Sequence, residues 1–100
     1  MGTYKIDFAA SVEKHLKALK AADRQRVLGA IARSLMHEPA RMARNRKPMR
    51  PNPLAPWELR VGDFRVYYRV IETPAKVVEV AAVGEKRGNQ LWIAGEQVQL

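Results

Sequence analysis

Apolar and polar positions alternate at the start of the chain, where Tyr4, Ile6 and Phe8 stand against Lys5 and Asp7. A period of two predicts a short strand. The period then becomes helical: Val12, Leu16 and Leu19 recur at i, i+4 and i+7, while Lys14, Lys17 and Lys20 fall mostly on other faces. Ser11 is the expected cap of this helix and Asp23 that of a second. The second carries the stripe Val27, Leu28, Ile31 and Leu35, and Pro39 ends it, because proline disfavours helical geometry in the residue before it. The short Ala21-Ala22-Asp23 connection predicts an antiparallel helical hairpin.

From Pro39 to Pro56 the pattern dissolves. Arg41, Arg44, Arg46, Lys47 and Arg50 are interleaved with Pro39, Pro48, Pro51, Pro53 and Pro56. Five prolines exclude a regular helix or a central strand, so the segment is expected to be a basic, exposed loop or arm lying over the surface. Alternation returns at Trp57–Val61, turns at Gly62-Asp63, and resumes over Phe64–Ile71. Phe64, Val66, Tyr68 and Val70 then share one face, and Arg65, Tyr67, Arg69 and Ile71 the other. A second turn at 73–76 leads into the apolar run Val77–Val83, expected to be a central strand. Strands joined by turns this short pair antiparallel. The pattern breaks over Gly84–Gly88, and Asn89–Leu100 reads as a tail without assigned form.

These elements predict one α+β domain over residues 1–100, with an N-terminal strand and helical hairpin packed on a C-terminal antiparallel sheet, here a three-strand meander. A hydrophobic fraction of 47% suits a packed core. No apolar run approaches the roughly 18 residues that span a bilayer, and the first residues lack a secretory pattern. Without cysteine the chain has neither disulfides nor thiolate ligands, and a cytoplasmic location is expected, with no membrane partner.

Charge adds direction. The net +8 lies wholly in residues 1–50, with twelve Lys/Arg against four Asp/Glu, whereas residues 51–100 carry six of each. Such asymmetry points to a polyanionic partner: nucleic acid, an anionic membrane surface or an acidic protein. Enzymatic signatures are sparse. There is no Gly-rich phosphate loop, HExxH motif or nucleophile elbow, and His15 and His37 are not at a metal-ligand spacing. No metal or cofactor is expected. What remains is arginine, lysine and aromatic side chains on a sheet. Arg65 and Arg69 share a face and suit phosphate recognition through the guanidinium fork, although Arg69 has a second reading as a cross-strand partner of Glu79. Lys86 and Arg87 follow the apolar strand and are expected near the edge that Arg65 occupies. Trp92 reads either as a stacking surface for a base or as core.

The run Trp57-Glu58-Leu59-Arg60-Val61-Gly62-Asp63-Phe64-Arg65-Val66-Tyr67-Tyr68-Arg69-Val70, followed by Val80-Ala81-Ala82-Val83-Gly84-Glu85-Lys86-Arg87, resembles the C-terminal core of the RelE/ParE toxins of type II toxin–antitoxin systems. The resemblance implies a ribosome-dependent mRNA endoribonuclease neutralised by an acidic antitoxin in a toxin–antitoxin hetero-oligomer. Its partners would be the ribosome and mRNA. The alternatives within the family are a gyrase inhibitor of the ParE type, or a relative that retains only antitoxin and operator complexes. By this resemblance Arg65 is the strand arginine that stabilises the phosphate, and Arg87 (or Lys86, in an ungapped match) is the arginine after the glycine. Lys47, Arg50, Arg60, Arg69, Lys86 and Trp92 are the expected RNA-binding residues. The chain departs from the pattern where Pro56 and Glu58 replace lysines and where Leu91 or Trp92 replaces a tyrosine. Glu58 is open to two readings, as a base or as a partner of Arg60 or Arg65.

Overall fold

The computed structural model describes residues 2–100. Elements follow in the order β1 (Lys5–Phe8), α1 (Val12–Lys17), α2 (Ala21–Leu35), β2 (Arg46–Pro48), β3 (Trp57–Val61), β4 (Phe64–Ile71), β5 (Val77–Arg87), β6 (Gln90–Ile93) and β7 (Glu96–Val98). Both helices lie against one face of a seven-stranded sheet ordered β2-β3-β4-β5-β6-β7. The strands of that path pair antiparallel, while β1 pairs parallel with Val77–Val80 of β5.

The α+β architecture stands as expected, and several local readings change. The second helix starts at Ala21 with Lys20 as its extended N-cap, so Asp23 sits in the first turn and does not cap. Two alanines are strong helix formers and carry the helix past the aspartate, whose charge then suits the positive N-terminal dipole. Helix α1 stops at Lys17, leaving Leu19 beyond it, and Ser11 makes no side-chain cap hydrogen bond. The Arg24 side chain instead closes the end of α1, donating from Nε to the Leu16 carbonyl at 3.0 Å and from Nη2 to Leu19 at 3.1 Å. The buried stripe of α2 is Val27, Ala30, Ile31 and Leu35, with Leu28 turned outward. The meander has six strands rather than three. β2 lies inside the basic loop as an edge strand, β5 runs through Gly84 to Arg87, and residues 90–98 form the β6–β7 hairpin.

Two apolar layers result. Under the helices, Val12, Val27, Ile31, Leu35, Leu59, Val66, Tyr68, Val78 and Val80 form the main core. Each such aliphatic side chain contributes roughly 1.5–3 kcal/mol on burial. The Tyr68 hydroxyl, buried with it, donates to the Pro39 carbonyl at 2.8 Å and ties the segment that follows α2 to the sheet. On the opposite face, Tyr67, Ala82, Leu91, Ile93 and Ala55 form a second cluster.

Strand β5 carries two neighbours on one edge, β1 along Val77–Val80 and β6 along Glu85–Arg87, with a gap between them. Two residues manage that gap. At Gly84 a Cβ would lie 2.7 Å from both the Trp92 carbonyl oxygen and Ile93 Cγ1, so the glycine admits the incoming β6 strand. Because one of those contacts is backbone, Gly84→Ala is expected to cost about 2 kcal/mol through overpacking. A thermal melt checks this, with a drop of roughly 8–16 °C for a domain of this size.

The Val83 N–H, inside the gap, donates to His15 Nδ1 at 3.2 Å. Burial, followed by the neighbouring Lys14 charge, lowers the pKa of His15 from 6.5. The native state therefore holds this imidazole neutral while the unfolded chain takes up a proton more readily. His15 contributes stability that is complete above about pH 6.5 and lost as pH falls through its lower native value. Urea midpoints of wild type and His15→Gln are expected to differ above pH 7 and to converge towards pH 5. A constant difference would contradict the assignment.

Candidate nucleic-acid interface

The strand register sorts the predicted site residues between the two faces of the sheet. Lys47 pairs with Glu58, Glu58 with Tyr67, Arg60 with Arg65, and Arg65 with Gly84. Arg69 pairs with Glu79 and Lys86 with Leu91. Paired residues share a face, so Lys47, Arg60, Arg65, Arg69 and Lys86 all stand on the face away from the helices. Arg87 lies an odd number of residues from Gly84 and therefore emerges on the helix face. There it pairs with Glu85 at 3.3 Å and lies over the Trp92 ring at 5.4 Å. Those side chains line a small cleft with His15 and Leu19 of the helical layer. The expected association of Arg65 with Arg87 is thus not found, and Lys86 is the residue brought to the Arg65 face.

Glu58 anchors the open face. It is a buried charged residue, 3% exposed, with Lys47 Nζ at 3.8 Å from Oε1 and Arg65 Nε at 4.0 Å from Oε2. Of the two readings of Glu58, the geometry supports the partner of Arg65 and adds Lys47, brought in by the edge strand β2. The Arg65 guanidinium is further held by Nη1, which donates to the Gly62 and Phe64 carbonyls at 2.8 and 2.9 Å. Its side chain is only 14% exposed, so it is less openly presented than its strand position implied. A guanidinium fixed on two edges has lost its rotational freedom in advance, which is the condition for electrostatic stabilisation without reorganisation. Beside it the Tyr67 hydroxyl is buried and has no hydrogen-bond partner among the described residues. Burial, then the Glu58 charge, push its pKa well above the usual tyrosine range, so it stays protonated.

The remaining residues frame this centre. Arg69 pairs with Glu79 at 3.1 Å, in agreement with its cross-strand reading. Arg50 lies in a closed loop packed on the open face, not in an extended arm. The Met49 N–H donates to the Pro56 carbonyl at 2.7 Å, and Asn52 Oδ1 accepts from the Leu54 and Ala55 N–H groups at 2.8 and 3.1 Å. Leu54 and Ala55 are thereby pressed onto the Tyr67, Ala82, Leu91 and Ile93 cluster. Lys47 and Arg50 line a groove of about 350 Å³ at the rim of this loop. The arrangement offers fixed cations to an anionic ligand. Among the described residues no group of His, Asp or Glu is placed to hold a metal ion.

Residues 6–89 match the family described as the ParE toxin of the type II toxin–antitoxin system parDE. The β6–β7 hairpin lies outside the match. No curated protein matches the chain. Among solved structures, the archaeal RelE–RelB complex from Pyrococcus horikoshii OT3 is similar at a TM-score of 0.67 and 26% identity, covering 86% of this chain and 97% of that one. The toxin–antitoxin complex RelBE2 from Mycobacterium tuberculosis shares the fold at a TM-score of 0.67, with 22% identity and coverage of 84% and 99%.

Proposed function

The chain belongs to the ParE toxin family of type II toxin–antitoxin systems, and from that premise we propose that it arrests growth by gripping ribosome-bound mRNA through its open sheet face. The observation that carries this reading is the shared face of Lys47, Arg60, Arg65 and Lys86, with Lys47 and Arg65 beside one buried carboxylate. Arg65 is the phosphate ligand, pre-set by Glu58 and two carbonyls. In the cleavage step the RNA 2′-oxygen bonds to the adjacent phosphorus, the bond to the 5′-oxygen breaks, and the 2′ proton leaves to solvent while the 5′-oxygen takes one up. The protein's part is to hold the negative charge that gathers on the phosphoryl oxygens. The protein acts in the cytoplasm, and an acidic antitoxin segment covers the same cations, in a complex that weakens as salt rises. Both structural neighbours are toxin–antitoxin complexes, which supports that partner.

A second reading, a gyrase inhibitor that cuts nothing, is favoured by one observation. Glu58 and Tyr67 are buried and Arg87 lies on the other face, so among the described residues neither a carboxylate nor a tyrosine hydroxyl is presented beside Arg65 on the open surface, and Lys47 and Lys86 are the titratable groups left there. Induction without antitoxin separates the two. Translation should stop with mRNA cut at ribosome-occupied codons; an SOS response with intact mRNA would overturn the ribosomal reading.

A further inference from the structure

The two-residue turn between β3 and β4 gathers cations from both faces of the sheet. From the open face, Arg65 Nη1 donates to the Gly62 carbonyl at 2.8 Å, and Arg60 stands directly opposite Arg65. Lys86 joins them, its backbone N–H bonded to the Asp63 carbonyl at 2.8 Å. From the helix face comes Arg26 of α2. Its guanidinium lies 5.6 Å over the Phe64 ring, and its Nη2 is 3.1 Å from where a Cβ on Gly62 would sit. Gly62 has φ +59, a conformation that already favours glycine, and the missing side chain leaves room for Arg26 against the turn.

This concentration is not balanced locally. Lys5, Lys17, Arg41, Arg69 and Arg87 have carboxylate partners, whereas several other cations, Lys14, Arg44 and Arg50 among them, have none among the described residues; what distinguishes the turn is that unpaired cations meet there from both faces. Among the described residues, Arg26, Arg60 and Lys86 form no ion pair, and the nearby Asp63 joins none of them. Like charges directly across strands disfavour a sheet, and of the opposed pair Arg60 and Arg65 only Arg65 has a carboxylate beside it. A ligand that supplies negative charge relieves that cost.

We propose that the β3–β4 turn is a two-sided phosphate clamp, in which Arg26 grips from the helix side a backbone phosphate of single-stranded RNA whose neighbouring phosphates lie on Arg60 and Lys86. The strand then crosses the end of the sheet instead of staying within the open face. Spacing supports an extended polyanion over a single small anion, because the cations stand on opposite sides of the turn backbone. The inference rests on the RNA reading above and adds α2 to the binding surface.

The test uses the purified full chain and a labelled, uncleavable 2′-O-methyl oligouridylate, with binding followed by anisotropy over a range of salt. Arg26→Gln is expected to weaken binding about tenfold and to flatten the salt dependence by about one phosphate contact. Arg33→Gln, on the same helix and folded back over Gly29, should bind as wild type. Comparable melting temperatures confirm that neither change disturbs the fold. Wild-type binding by Arg26→Gln, with weakening by Arg60→Gln and Lys86→Gln, overturns the clamp and leaves the open-face reading standing. No effect of Arg60→Gln or Lys86→Gln removes that reading as well. Weakened binding of the antitoxin but not of the oligonucleotide would assign Arg26 to an acidic protein and also overturn the clamp.

Discussion

Cells expressing Arg65→Ala should keep growing when induction of the wild-type chain halts them, with cleavage lowered about 10²–10³-fold, the usual loss on removing one fixed donor to developing charge. The size of the effect follows from how Arg65 is held. Three contacts fix its position: the Gly62 and Phe64 carbonyls on Nη1 and the Glu58 carboxylate beside Nε. Nη2 makes no hydrogen bond among the described residues, so it is the nitrogen open to the proposed phosphate. Arg65→Lys retains charge but not the planar fork, so it should recover only a small part of the activity. The fold should survive at a lower melting temperature, because the β4 side chains under the helices are untouched while buried Glu58 keeps only Lys47 as a counter-ion. Growth after induction and a melting curve report the two effects separately. Full arrest by a well-expressed Arg65→Ala would remove the residue from the site.

The second large effect concerns stability. Glu58→Gln is expected to lower unfolding free energy by about 3 kcal/mol, since it leaves two cations beside a buried neutral group. Lys47 at 3.8 Å and Arg65 at 4.0 Å both depend on this carboxylate, and its own exposure of 3% denies it water as a substitute. Lys47 is half-exposed and can turn to solvent; Arg65 cannot do so without leaving its carbonyls. The loss should therefore fall mainly on the Arg65 side. In urea unfolding, Glu58→Gln combined with Lys47→Met should nearly add, whereas Glu58→Gln with Arg65→Ala should show strong coupling. Wild-type stability in Glu58→Gln would contradict the role of an anchor.

Much of this was legible along the chain, for reasons that also explain the misses. Alternation over Phe64–Ile71 correctly separated Tyr68 from Tyr67, and with them the two layers, because side-chain parity is local. The segment Gly84–Arg87 looked like a break, since glycine and three charged residues carry no apolar pattern. Its strand character comes from pairing with Gln90–Trp92, a contact visible only in three dimensions. Losing that strand also lost its parity, which is why Arg87 was expected beside Arg65 when Lys86 holds that face. The short strand Arg46–Pro48 was hidden among prolines, and with it the Lys47–Glu58 pair that makes Glu58 an anchor. Arg26 carried no signal beyond its share of the basic excess in residues 1–50, because nothing local relates a helix arginine to a turn 36 residues later.

The central claim is that the open face acts on ribosome-bound mRNA through Arg65. Its most direct test is a purified translation system programmed with one mRNA, in which RNA ends are mapped after adding the toxin. The account predicts cuts within the ribosome-occupied codon, absent with Arg65→Ala and suppressed by the antitoxin. Intact mRNA on arrested or unaffected ribosomes, with the same preparation blocking gyrase supercoiling, would contradict it.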